Sequence, residues 1–502
     1  MKFTLSDKAI YIGFIIFVLS LPFDYTSLFL NTGMSLVLFG WVGRIIYERK
    51  LNWKRTSLDI PIVLFLGLAL VASLMAPHPA TSSLGYFWKL LRAILLFYAV
   101  VHNRLGIRWR HILITFIAAA GISSFLGLLL YINDTGLTHS LMGRVGLEYQ
   151  EELAASEGFS DELRSELRQI NIPLTESASI LQSKKTDEWR IDDLPRNRRY
   201  LVRKQDTNLS VYMIEQRLSG TFKAPNYLGA YLALALPFVI GYFVASWQTL
   251  RKEKYGVWMI SGICIVVVMM TANLMLTLTR GAWVGVAFAT LCICCYLIVR
   301  KYAELKSTGG SLKRVVIGTT LILAIITVSI FLMPQHIKTR FNTMIERPMG
   351  FMGERPKWWH TSLKLIQKHP ITGIGLGRFR HEMTLNAPPE LSDVPFHAHN
   401  IYLHIAVEQG IPSLLMFLLI IVIIWKQIWL MKDETGFWGI AAFIGGSGFL
   451  ISVLVYGLAD YIFHHRSLLL FWFIIGIIYC IQQHKDEIGH STHSLKAGAC
   501  AS

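Results

Sequence analysis

Apolar residues run through this chain in long uninterrupted blocks, not in the alternating or 3.6-residue patterns of half-buried strands and surface helices. Ile60 to Ala76, Gly256 to Thr279, Val315 to Met333 and Ser413 to Trp425 contain no charged residue. A bilayer crossing needs roughly 20 apolar residues at about 1.5 Å rise each. Backbone polar groups in hydrocarbon must bond within their own segment, so such blocks are expected to be helices. The pattern predicts twelve crossings, near 9–23, 32–47, 59–76, 84–102, 111–132, 226–247, 257–278, 281–299, 315–333, 401–425, 438–459 and 467–483. The fourth carries Lys89 and Arg92. Either they face protein or a watery cavity, or they snorkel to an interface.

Short basic loops orient the chain. Arg44, Arg49, Lys50, Lys54 and Arg55 follow the second crossing, and Arg104, Arg108 and Arg110 the fourth. Arg251, Lys252 and Lys254 follow the sixth, Arg300, Lys301, Lys306, Lys313 and Arg314 the eighth, and Lys426 and Lys432 the tenth. The opposite short loops, around Asp24 and Pro77 to Ser83, lack Lys and Arg. By the positive-inside rule both termini are expected in the cytoplasm. The apolar N-terminal stretch shows no small-residue cleavage site and is expected to be a retained helix.

The expected architecture is therefore an all-α polytopic bundle with two long extracytoplasmic segments. Five regions follow: N-terminal crossings (1–132), an accessory loop (133–225), central crossings (226–333), a second outer loop that carries the chemistry (334–400), and C-terminal crossings with a cytoplasmic tail (401–502). In the accessory loop, helical periodicity covers 161–170, followed by a looser stretch dense in mixed charge.

Composition agrees with membrane. The 502 residues are 53% hydrophobic and 16% charged, against about 25% charged in soluble domains. The net charge of +16 resides largely in the orienting loops, which argues against nucleic acid as a partner. None of the six cysteines lies in a polar loop, so no disulfide framework is expected.

Candidate chemistry gathers on the outer side in four pieces. They are RLSGTFKAPN (217–226), TLTRGAW (277–283), ERPKWW with HPITGIGLGRF (354–359 and 369–379), and HAHNIYLHIAVEQGIP (397–412). Arginine presents a permanently charged fork that suits phosphate oxygens. That makes Arg280 and Arg355 candidate anion holders, the plain alternatives being an interfacial snorkel and an ion pair with Glu354. Histidine exchanges protons near neutral pH, and His399 stands where an outer loop meets a helix. Arg217, Lys357, His397 and Asn400 are candidate substrate contacts. Lys223, Asp460, His464, His465 and Arg466 rank below them.

His397 and His399 lack a third and fourth metal ligand at recognisable spacing, so no metal is expected. Gly373, Gly375 and Gly377 have neither the preceding strand nor the following GK[ST] of a nucleotide loop, and read as a tight turn packed against the membrane. Trp358 and Trp359 read as interfacial anchors.

Together and in this order, these pieces resemble the O-antigen ligase and polymerase family of bacterial membrane glycosyltransferases. His399, Asn400 and Gly410 meet that family's histidine–asparagine motif, with its glycine ten residues after the asparagine. The resemblance implies a C-type glycosyltransferase bundle in the bacterial cytoplasmic membrane, with the active site on the periplasmic or extracellular face. It implies a donor glycan on undecaprenyl diphosphate, an acceptor that is lipid A-core or a growing polysaccharide, and contact with membrane lipid. It further implies work without cofactor, metal or nucleotide sugar, with catalytic roles at Arg280, Arg355 and His399. Three alternatives stay open: a capsule or exopolysaccharide polymerase, a protein O-oligosaccharyltransferase, and a secondary transporter. The plain character of the crossings disfavours transport, which uses broken helices near the midplane. The long 133–225 segment departs from the simplest ligases and puts the acceptor in doubt more than the donor.

Overall fold

The computed structural model describes residues 4–49, 54–76, 80–103, 108–139, 153–155, 160–169, 174, 179–183, 188–193, 198–205, 208–251, 253–308, 355–386 and 395–499. Its helices in chain order begin with α1 (Leu5–Ser20), α2 (Ser27–Glu48), α3 (Asp59–Leu74), α4 (Ala80–His102), α5 (Arg108–His139) and α6 (Ser160–Gln169). They continue with α7 (Pro225–Leu250), α8 (Gly256–Leu276), α9 (Arg280–Thr308), α10 (Arg355–Lys368) and α11 (Phe379–Asn386). The last are α12 (Ile401–Trp429), α13 (Phe437–Gly457) and α14 (His465–Ala499).

Among the described residues, nine helices contain spans long and apolar enough to cross a membrane. They correspond to nine of the twelve expected crossings. Helices α1 and α3 form where crossings were expected, but each has 16 residues and reaches about 24 Å, short of a hydrocarbon core about 30 Å thick. The expected crossing at 315–333 lies outside the described residues.

Helices α7, α13 and α14 form the centre. Within their apolar spans 83%, 78% and 72% of residues are buried, against 28% for α8 and for α9, which stand on the outside. Small residues permit the tight central packing. A Cβ on Gly241 would lie 2.3 Å from the Gly445 backbone, so α7 and α13 meet backbone to backbone. A Cβ on Gly13 would lie 2.8 Å from the Gly33 carbonyl, and α1 and α2 meet the same way.

The all-α expectation is corrected in the accessory segment. Five strands, β1 (Leu153–Ala155), β2 (Ser179–Ser183), β3 (Glu188–Asp193), β4 (Arg198–Gln205) and β5 (Asn208–Gln216), pair as an antiparallel sheet in sequential order. Leu163 and Leu167 of α6 share a core with Trp189, Ile191, Tyr200 and Val202. Those sheet residues recur at spacing two, so one face of the sheet is apolar and α6 covers it. The charges between them obscured that period in the sequence. The expected helix at 161–170 is present as α6.

One end of the bundle is sewn together by polar contacts from five places in the chain. Arg466 Nε donates to Asp24 Oδ1 at 2.7 Å, and its Nη1 donates to the carbonyls of Ser20 and Leu21. The Lys223 amide donates to Asp24 Oδ2, and the Leu218 amide donates to the Leu276 carbonyl. At the same end the Asn400 amide donates to the Leu458 carbonyl. The five described cysteines are free thiols.

Candidate functional site

The loop between α11 and α12 and the loop between α13 and α14 meet at this sewn end. Three backbone devices bring them there. The first is the start of α12. Asn400 accepts from the amides of Tyr402 and Leu403, both at 3.0 Å, capping the helix. The preceding residue, His399, takes the left-handed conformation at φ 47°, which is uncommon for a non-glycine residue.

The second device is a break in α12. Gly410 has φ 82° and ψ 168°. The freed carbonyls of Val407 and Glu408 accept from the amides of Ile374 and Gly375, at 2.9 and 3.0 Å. The Ile411 amide donates to the Pro370 carbonyl at 2.8 Å. The glycine-rich loop is thus docked into the interrupted helix, and a Cβ on Gly373 would stand 2.4 Å from the Glu408 backbone. The expected tight turn is present, with φ values of 66°, 95° and 70° at Gly373, Gly375 and Gly377. The expectation of mostly plain crossings is corrected at this helix.

The third device is α10. It carries Leu365 into a small core with Ile374, Phe379, Met383, Ala398 and Val407. Trp358 stacks on the His399 ring at 5.1 Å with planes 25° apart, and Trp359 Nε1 donates to the Ala398 carbonyl at 2.9 Å. The two tryptophans hold the histidine loop to α10, a different role from the expected interfacial anchoring.

These devices deliver His399 to Asp460. Its Nδ1 lies 2.7 Å from Asp460 Oδ1, and the same oxygen accepts the Tyr461 amide at 2.8 Å. Asp460 is 3% exposed. Burial pushes its carboxyl upward, but the hydrogen bond and charge of His399, joined by the charges of Arg355 and His397, outweigh burial and hold it far below the usual carboxylate range. A carboxylate can only accept, so His399 Nδ1 donates to it, and in the neutral form of the ring the lone pair lies on Nε2.

His397 faces His399 at 4.5 Å between ring centroids, and its Nε2 is 3.8 Å from Asp460 Oδ1. Burial, then the neighbouring His399 charge, depresses its pKa well below the ordinary imidazole value despite Asp460, so it stays neutral. Burial likewise pushes His464 down to about 4. The ligand atoms of His397, His399 and Asp460 lie within 4.8 Å of one another. Among the described residues these three could hold a metal ion, with Asp460 in the place of a third ligand that sequence spacing did not reveal.

Arg355, the half-buried first residue of α10, is close enough for its charge to act on Asp460. Arg280 opens α9, and the neighbouring Gly281 lies against the Tyr456 ring and Ala459; a Cβ there would come within 2.7 and 3.1 Å. The start of α9 is thereby packed against Tyr456 and Ala459, the residue before Asp460. The turn before it is bound tightly: Leu278 has φ 52°, the Thr279 amide donates to Thr277 Oγ1, and Trp283 Nε1 donates to the Leu274 carbonyl.

Other expected contacts are placed differently. Arg217 donates to the Thr277 carbonyl, to Asn226 Oδ1 and to Thr279 Oγ1 at 3.0, 2.6 and 3.2 Å, so its fork ties α7 to the α8–α9 turn. Both ends of the Asn400 amide are engaged in capping and in the Leu458 contact. Lys357 is exposed in the first turn of α10. Sequence reasoning ranked Asp460 low because one acid in a short loop carries no pattern. The run Asp460-Tyr-Ile-Phe-His-His-Arg466 held the available signal, an acid placed among histidines at a helix boundary.

Beside the pair opens a cavity of about 470 Å³, whose wall includes His397, Tyr461 and His464. Lys89 lines it and lies with Nζ 4.2 Å from the Tyr86 ring centroid. Arg92 instead donates to Asn31 Oδ1 of α2. Of the readings open for these cations, Lys89 follows the cavity one and Arg92 faces protein.

Comparison with known proteins gives one family match: the O-antigen ligase family over residues 264–418. No curated protein matches the chain. The match spans Arg280, α9, α10, the glycine loop, His399 and the break in α12, which are the parts just described. The family supports a ligase- or polymerase-type enzymatic role in polysaccharide biosynthesis, acting on lipid-linked glycan. The nine apolar helices are those of a multi-pass membrane protein. The match supports assigning residues 264–418 of this chain to the O-antigen ligase family.

Proposed function

We propose that the chain transfers a glycan from a polyprenyl diphosphate carrier, undecaprenyl diphosphate in bacteria, to an acceptor hydroxyl at the extracytoplasmic face of the cytoplasmic membrane. The observation that carries the proposal is the His399–Asp460 hydrogen bond of 2.7 Å, with Arg355 acting on the same carboxylate and the Arg280 helix start packed against Tyr456 and Ala459. The sidedness rests on the basic loops, which follow the even-numbered crossings at the other end of the bundle.

In this reading Arg280 and Arg355 hold the diphosphate and stabilise the charge that grows on its oxygen as the bond to the anomeric carbon breaks. The acceptor oxygen attacks that carbon from the opposite side, and His399 Nε2 takes its proton. One C–O bond forms, one breaks, and the diphosphate leaves on its carrier. A single in-line displacement inverts the anomeric carbon. Asp460 holds the imidazole in its reactive tautomer and stabilises the imidazolium that follows. The arginines supply the cationic charge a metal would otherwise contribute, so the mechanism needs none. Arg217 and Asn400 act by positioning the α8–α9 turn and the start of α12. His397, neutral and beside His399, lines the adjoining cavity.

The test is reconstitution in liposomes with a carrier-diphosphate glycan and candidate acceptors, followed by product sizing. Arg280→Gln and Arg355→Gln should each cut turnover while the protein still melts cooperatively. Wild-type turnover in both variants would remove the arginines from the reaction.

A further inference from the structure

The cavity beside the catalytic pair carries a charge imbalance that the donor site does not use. One ion pair in its wall is matched internally, Arg466 with Asp24 at 2.7 Å, and Glu408 lies 3.4 Å from His404 Nε2 and accepts the Phe379 amide. Three further cations line it, Lys89, Lys223 and Arg380, and among the described residues none of them forms an ion pair with a carboxylate. Two are held on aromatic rings at the cavity edge. Lys89 Nζ sits 4.2 Å from the Tyr86 centroid, and the Arg380 guanidinium carbon 3.9 Å from the Phe396 centroid. Tyr86 and Phe396 are themselves 47% and 70% exposed, so ring and cation face open space.

Lys89 is the costliest of the three. It lies inside the apolar span Ser82–His102, where a cation without an acid partner is expensive and usually serves a polar ligand. Ring stacking offsets part of that cost and leaves the ammonium donors free. The same lining includes the apolar residues Phe65, Leu90, Phe417, Phe463 and Phe471. Cations and apolar side chains in one cavity suit an anionic headgroup on a hydrocarbon tail. His397 connects this space to the catalytic pair, because it lines the cavity and its ring stands 4.5 Å from His399.

We propose that Lys89, Lys223 and Arg380 form a second phosphate site, distinct from Arg280 and Arg355, which holds the phosphate headgroup of the acceptor lipid. The acceptor is then itself a phosphate-bearing, lipid-linked glycan, presented to His399 past His397. This rests on the transfer reaction proposed above, with the donor diphosphate at the two arginines.

Equilibrium binding of undecaprenyl monophosphate to the full chain in phosphatidylcholine nanodiscs tests it. Wild type should bind about two equivalents. Lys89→Gln with Arg380→Gln should lose one, weakening that site about tenfold or more, as expected when charge-assisted hydrogen bonds are removed. The charge-preserving pair Lys89→Arg with Arg380→Lys should regain it, which separates recognition from misfolding. Arg280→Gln with Arg355→Gln should lose the other equivalent. Two equivalents retained in the Lys89/Arg380 variant would overturn the second site. Two retained in the Arg280/Arg355 variant would instead overturn the donor site and leave the second standing. Undecaprenol, which has the tail alone, should not displace the probe; equal displacement would overturn headgroup recognition. Displacement by millimolar inorganic phosphate would make this a free-phosphate site and overturn the lipid assignment.

Discussion

The two ends of this bundle use the same basic residues in opposite ways. At the end rich in short basic loops, the cations at the C-terminal end of α9 make simple contacts near the surface. Lys301 pairs with Glu304 one turn away with both groups more than half exposed, and Arg300 donates to the Lys432 carbonyl. Such exposed pairs contribute about 0–1 kcal/mol. At the other end, cations and histidines are fixed by left-handed backbone, a broken helix, ring stacking and a buried acid. His399 alone combines positive φ, a stacked indole and a 2.7 Å bond to Asp460. In the proposed orientation, charge at the first end records how the chain was inserted, and charge at the second is arranged against local cost, as the proposed chemistry requires. Charge counts cannot separate the two ends, but the cluster of His397, His399 and His464 around the buried Asp460 does.

The comparison can be broken most sharply at His399. His399→Ala should lower turnover about 10²–10⁴-fold, the usual loss of a general base, with little change in thermal unfolding. Turnover retained within a few-fold in a reconstituted assay would place the site elsewhere.

Next in size is the strained scaffold. Gly373→Ala and Gly410→Ala each put a Cβ against backbone atoms at positive φ, and each should cost about 1–3 kcal/mol or more. Thermal unfolding in detergent reads this directly. Unchanged melting would mean that the loop docks into α12 without strain.

The pH dependence is a smaller effect. His464 is pushed by burial down to about 4, below the ordinary imidazole value of about 6.5. As pH falls the unfolded chain takes up that proton first, so stability should decline between about pH 6.5 and about 4. His464→Gln should flatten that decline in melting curves taken across the range, whereas an unchanged slope would assign it to other groups.

The smallest effects belong to the opposite end. Arg300→Ala and Lys301→Ala should change stability by about 0.5 kcal/mol or less and leave turnover at the wild-type level. A large loss there would erase the contrast between the ends.

How much of this was legible in sequence follows from the range of each signal. Nine of the crossings were legible because twenty consecutive apolar residues form a local pattern. The segments that carry Arg280, Arg355 and His399 stood out because tryptophans, glycines and prolines mark their surroundings. Asp460 was not, since its role arises only when α13 and α14 bring their loop to α12, 61 residues after His399. The break at Gly410 was legible as a motif glycine but not as a backbone interruption, because its cause is the docking of Ile374 and Gly375. The sheet was missed because its spacing-two apolar positions, Trp189 with Ile191 and Tyr200 with Val202, stand among dense charges.

The central claim is that a buried carboxylate orients the imidazole that takes the acceptor's proton. Turnover of Asp460→Asn, reconstituted with carrier-diphosphate glycan at saturating donor, tests it most directly. The account predicts a fall of about 10²–10⁴-fold, as the amide no longer fixes the tautomer, with donor KM and thermal unfolding close to wild type. Turnover equal to wild type in a folded Asp460→Asn protein would contradict it.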